Sequence, residues 1–261
     1  MKANSYQLSL LKPSKAQFEM LLLGFLQLES WASDINLCDL LQVSKRALMG
    51  ILKPMLKDKL VKGVVQKVMG GEISLFGITS LGHSYLIGSS TCAEVRAGNY
   101  SKSNRLKMRL SPIFLPHRLD IQMLRIRAER AGWKNWVNAD LGQDLQSRVI
   151  PAHLVGQPIL SSEFRPDAWG TNPLGERVCL ECERTVKSKI RYVAILCDYL
   201  MALKREDFDL LMWVSPTQEI KRKLEHLITS ITHVQIGSLN VLIPRNRFER
   251  IRFLSYDEWG V

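Results

Sequence analysis

The chain has 261 residues, with 36 Lys and Arg against 25 Asp and Glu, so its net charge is +11. That length suits one large domain or two ordinary ones, and a hydrophobic content of 46% excludes wholesale disorder. The sequence predicts neither membrane span nor signal peptide, since the apolar run Met20–Leu28 is broken by Gly24 and Gln27 and falls far short of ~20 residues. Five cysteines, an odd number, argue against a disulfide scaffold and for a cytoplasmic protein. Residues 1–112 hold 15 basic and 7 acidic side chains, while residues 113–261 hold 21 and 18. A strongly basic first part thus precedes a nearly balanced second part, the pattern of a polyanion-binding module joined to something else.

In chain order, Ser14 caps a helix running to Leu28, with Phe18, Leu21, Leu22, Phe25 and Leu28 at helical spacing. A short helix follows at Ile35–Leu41, then a turn at Gln42-Val43, then a helix capped by Ser44 and extending to Leu56. A short helix, a tight turn and a second capped helix form the helix-turn-helix pattern. Two strands, Leu60–Val65 and Ile73–Ile78, flank Gly70-Gly71, and Thr79–His83 opens a last short helix. Residues 1–90 therefore resemble a winged-helix DNA-binding domain. Lys45, Arg46 and Lys53 on the capped helix, and Lys67 on the hairpin, are its candidate DNA contacts.

Residues 91–112 read as a basic linker, and residues 113–261 as an α/β (α+β) domain. Its predicted elements are a helix from Leu115 to about Ala131, strands at Ile159–Arg165, Arg177–Glu183 and Phe208–Val214, and a helix capped by Thr185 and ending near Lys204. Further strands are expected at Val241–Ile243 and Ile251–Leu254. Strand alternation puts Glu181 and Glu183 on one face, where an adjacent strand can bring Asp167 beside them. Three converging carboxylates repel one another unless a cation joins them, and hard oxygen ligands suit Mg²⁺ or Mn²⁺. Lys187 or Lys189 can face the acids from the helix start, with Tyr192 three residues beyond Lys189. Cys179 and Cys182 point to opposite faces of a strand, which disfavours a zinc half-site.

Asp167 followed by Glu181-x-Glu183 resembles the PD-(D/E)xK nuclease signature, with Glu183 standing where a lysine is usual. More closely, the run from Arg165-Pro166-Asp167-Ala168 through Glu181-Cys182-Glu183-Arg184-Thr185 to Lys189-Ile190-Arg191-Tyr192 resembles the replication-relaxation family, as does the entry Leu115-Pro116-His117-Arg118-Leu119. The resemblance implies a winged helix ahead of a restriction-endonuclease-like mixed sheet, and the activity of MobC-type plasmid relaxases. These nick an origin of transfer in the bacterial cytoplasm. Double- and single-stranded DNA would be the substrates, and an accessory mobilisation or coupling protein the partner. Asp167, Glu181 and Glu183 would hold the metal. Lys187, Lys189, Tyr192 and His117 would complete the catalytic set, and Arg165 and Arg184 would touch DNA. The alternative is a replication or transcription regulator whose nuclease-like domain is inactive, which Glu183 at the lysine position favours. The histidines, among which no His-x-His pair occurs, set aside the three-histidine relaxase chemistry.

Overall fold

The computed structural model describes residues 14–68, 70–89, 112–138, 166–236 and 238–260. It is a mixed helix-and-sheet fold in which the chain divides into two compact units, Met1–Ile126 and Arg127–Val261. Among the described residues no helix is long and apolar enough to cross a membrane.

In the first unit, α1 (Lys15–Glu29) starts at Ser14, whose hydroxyl accepts from Gln17 N while the Gln17 side chain accepts from Ser14 N. This reciprocal cap satisfies two amide donors that a helix start otherwise leaves unpaired. After β1 (Trp31–Ser33) come α2 (Asp34–Leu41) and α3 (Lys45–Lys57), capped by the Ser33 and Ser44 hydroxyls. Gln42, in the left-handed conformation at φ 55, breaks the chain between the two helices. β2 (Val61–Val68) and β3 (Gly71–Ile78) then pair antiparallel, and β1 joins them in the order β1-β3-β2. The turn between β2 and β3 is carried by Gly70 (φ 105) and Gly71 (φ 141), a backbone region that side chains with a Cβ rarely adopt. Leu22, Leu26, Leu37, Leu48 and Leu52 are fully buried in the core beneath α4 (Ser80–Ser89) and the sheet.

The next helix, α5 (Leu115–Arg130), is assigned by sequence to the second domain, yet its residues through Ile126 group with the first unit. Ile126 enters the same apolar core as Leu22 and Leu52. Asn36 Nδ2 donates to the Leu119 carbonyl (2.9 Å) and to Gln122 Oε1 (3.2 Å), and Arg125 Nη1 lies 2.6 Å from Glu29 Oε1.

In the second unit, a five-stranded sheet runs in the order β10-β7-β6-β5-β4. Its strands are β4 (Lys134–Asn138), β5 (Ala168–Thr171), β6 (Arg177–Cys182), β7 (Leu210–Ser215) and β10 (Ile251–Ser255). β4/β5 and β5/β6 are antiparallel, whereas β6/β7 and β7/β10 are parallel. Parallel neighbours need crossovers. α6 (Lys189–Lys204) links β6 to β7, and α7 (Gln218–Thr229) follows β7. A hairpin of β8 (His233–Ile236) and β9 (Leu239–Leu242) and a short 3₁₀ helix (Arg245–Arg250) complete the path to β10.

Two expected elements differ. The helix after β6 begins at Lys189 with Ser188 as its cap residue, so Thr185 lies outside it. The Lys187 backbone N–H donates to the Tyr192 hydroxyl (2.9 Å), and Lys187 Nζ turns back to Glu183 (2.8 Å), which holds this segment out of the helical path. The expected strand Ile159–Arg165, Arg165 itself and nearly all of the linker lie outside the described residues.

Candidate functional site

Glu181 and Glu183 lie at the end of β6, where each meets a tyrosine hydroxyl of α6. Asp167 immediately precedes β5, and its Oδ2 accepts from the backbone N–H of Cys182 at 2.8 Å, pinning it to the neighbouring strand. Glu181 is half-buried on β6 and accepts a hydrogen bond from the Tyr199 hydroxyl. Burial pushes its carboxyl well above the ordinary glutamate range, and the charge of Asp167 pushes the same way. Glu183 follows the strand: its N–H continues the parallel pairing to the Val214 carbonyl (2.9 Å), and its side chain is buried. Glu183 Oε2 lies 2.8 Å from Lys187 Nζ and accepts from the Tyr192 hydroxyl at 3.0 Å.

Tyr192 accepts from Lys187 N–H and donates to Glu183, so both functions of its hydroxyl are taken. Burial raises its pKa above the usual tyrosine range. A hydroxyl so engaged and so weakly acidic is a poor nucleophile. Lys189 points elsewhere, with Nζ 3.4 Å from the Ser230 carbonyl. Arg184 is exposed in the segment between β6 and α6, and His117 is half-buried on α5 among the residues of the first unit.

Alternation along β6 is as strand geometry requires. Cys179 packs with Tyr192, Leu196 and Tyr199, whereas Cys182 meets the Tyr256 hydroxyl at 3.1 Å. Burial also pushes the Cys179 thiol up.

Among the described residues no group of three or more His, Cys, Asp or Glu side chains is arranged to hold a metal ion. The charge of Asp167 bears on Glu181, while Glu183 is drawn to Lys187 and Tyr192. Two carboxylates are a sufficient protein contribution for Mg²⁺, which completes its shell with water and phosphate oxygens. The donor chemistry of this pair therefore fits a hard divalent cation.

Of the basic residues in the first unit, Arg46, Lys53 and Lys67 are exposed. Lys45 is exposed but already paired, its Nζ 2.7 Å from Asp34 Oδ2. Lys67 stands across from Glu72 in the hairpin register.

Tyr199 is the site residue that motif reading misses, because it lies outside the signature. The signal was present in the spacing: Tyr192 and Tyr199 are seven residues apart, two turns of one helix face. No family model, curated protein or solved structure matches the chain.

Proposed function

We propose that the chain is a metal-dependent DNA nuclease. Within that class, we propose a relaxase that nicks an origin of transfer, delivering one strand with the help of a mobilisation or coupling protein. The observation that carries the reading is that Asp167, just before β5, is pinned to the end of β6 by the Cys182 N–H (2.8 Å), next to Glu181, while Glu183 holds the Lys187 ammonium at 2.8 Å. Asp167 and Glu181 would hold the divalent cation, which when bound would supply an activated water and charge neutralisation at the scissile phosphate. Lys187 replaces the lysine that the signature has at position 183, and it keeps a positive charge where negative charge develops on the phosphate oxygens. Glu183 orients that lysine. The α2–turn–α3 pair and the β2/β3 hairpin support a winged helix, with Arg46, Lys53 and Lys67 exposed for phosphate contact. The mixed sheet of the second unit is consistent with a nuclease-like domain.

A supercoiled plasmid carrying a cognate origin should be nicked in Mg²⁺ or Mn²⁺, and the same plasmid without the origin should not. Equal nicking of both points to an ordinary nuclease and removes the relaxase assignment. One observation favours the rival reading, a DNA-binding regulator with an inactive nuclease-like domain. Glu181 and Glu183 already satisfy hydroxyl and ammonium donors of their own chain. Nicking by neither plasmid, with duplex binding retained, would decide for that rival.

Two further outcomes follow from the geometry. Duplex binding by the full chain should weaken steeply with salt, at a slope of about −0.9 per phosphate contacted. Arg46→Ala and Lys53→Ala should each reduce that slope by about one, and Lys45→Ala by less, because Asp34 already holds its ammonium. Fluorescence anisotropy across a salt series reads all three, and an unchanged slope in the Arg46 and Lys53 variants would remove α3 from the interface. Tyr192→Phe should retain most nicking, since its hydroxyl is engaged by Lys187 and Glu183. A covalent DNA adduct mapped to Tyr192 would reverse this assignment.

A further inference from the structure

The two hydroxyls that α6 presents to the acidic strand are not equivalent. Tyr192 serves Glu183 and the Lys187 backbone, whereas Tyr199 donates to Glu181, the neighbour of Cys182, whose backbone N–H holds Asp167 at 2.8 Å. Tyr199 is fully buried, and its ring is fixed by edge contacts with Phe208 (6.1 Å between centroids) and Trp213 (6.3 Å). Trp213 stands in register with Glu181 on the adjacent parallel strand and also packs on Tyr192 at 5.6 Å. An aromatic ring held on two sides cannot follow a wandering carboxylate, so the carboxylate must follow the ring. The bond to Glu181 Oε1 fixes the side chain's rotation and thereby the direction in which its other oxygen, Oε2, points.

We infer that Tyr199 is a positioning residue that orients Glu181 toward the divalent cation and so sets the cation affinity of the Asp167–Glu181 pair. The inference rests on the nuclease reading above. Partners one shell out from a metal's ligands typically govern affinity by 10–100-fold. A merely structural tyrosine would change stability and leave the affinity of the folded molecules untouched.

The experiment is titration of the full chain with Mn²⁺ alone, followed by calorimetry and by the electron paramagnetic resonance of free Mn²⁺. The chains compared are wild type, Tyr199→Phe and Tyr192→Phe. Phenylalanine keeps the ring packing and deletes only the hydroxyl. Tyr199→Phe should bind Mn²⁺ roughly 10–100-fold more weakly, with its circular dichroism unchanged, whereas Tyr192→Phe should stay near wild type. Wild-type affinity in folded Tyr199→Phe overturns the inference and leaves the nuclease reading standing. Absence of Mn²⁺ binding by the wild type overturns both. Should Tyr199→Phe fail to fold, the ultraviolet difference spectrum on adding Mn²⁺ gives the readout instead. A shift of the tyrosine band seen in both wild type and Tyr192→Phe supports the inference, and no shift in either overturns it.

Discussion

Replacing Glu181 with Gln is expected to abolish metal-dependent nicking while leaving the metal-free fold as stable as the wild type or more so. Loss of an outer partner of a metal ligand costs roughly 10–100-fold, and loss of a ligand itself should exceed that. The stability expectation comes from the opposite sign of the carboxylate's environment. Burial and Asp167 raise the Glu181 pKa, so the folded state holds this proton more tightly than the unfolded chain, where the value is about 4.3. Where the native state binds more protons, stability falls as pH rises. The wild type without added metal should therefore lose stability between about pH 4.3 and the raised native value, and Glu181→Gln should lack that slope. Glutamine keeps an acceptor for Tyr199 and removes the repulsion. If Glu181 were scaffold instead, exchanging a charge-assisted hydrogen bond from Tyr199 for a neutral one would cost about 1 kcal/mol while nicking survived. Thermal unfolding across a pH series, beside a nicking assay, separates the two: destabilisation with activity preserved would contradict the assignment.

The largest expected effect on stability lies in the first unit. Arg125 and Glu29 form an ion pair at 2.6 Å with side chains only 11% and 2% exposed, and the Arg125 guanidinium also lies 5.8 Å from the Phe25 ring centroid. Arg125→Met leaves the Glu29 carboxylate buried without this partner, a change that costs roughly 3–5 kcal/mol. Replacing both residues by apolar groups of similar volume should recover much of the loss, because the pair's mutual attraction largely offsets its own desolvation. Denaturant unfolding of the full chain measures both variants. A cost below about 1 kcal/mol, the worth of an exposed pair, would show that water reaches the pair.

That ion pair also shows where sequence reading ends. The apolar stripe Leu119, Met123, Leu124 and Ile126 announces the helix, but a stripe says only that one face is covered, not by what. Glu29 and Arg125 are 96 residues apart, and no local pattern links them. Where signals are local the reading holds. Ser14 and Ser44 cap the expected helices, the Gly70-Gly71 turn joins two antiparallel strands, and Arg177–Cys182 is the strand that carries Glu181. β5 is missed because four residues give no usable alternation, and β4 because its register shifts between Lys134 and Val137, with Asn135 at φ 55. α7 carries local signals of the same kind, a Thr217 cap and a face buried at Leu224 and Ile228. At the site, strand alternation correctly placed Glu181 opposite to Cys182. It could not reveal that Glu183 lies past the strand's end and pairs with Lys187, since that contact depends on the path of the segment before α6.

The proposed function requires Asp167 and Glu181 to hold a divalent cation that supports DNA cleavage. Its most direct measurement is conversion of origin-bearing supercoiled plasmid to the open circle by the purified chain, wild type beside Glu181→Gln, in Mn²⁺ and in EDTA. Nicking by the wild type in Mn²⁺ alone is the expected result, with none by the variant in either condition. Equal nicking by the two proteins, or nicking that persists in EDTA, would contradict it.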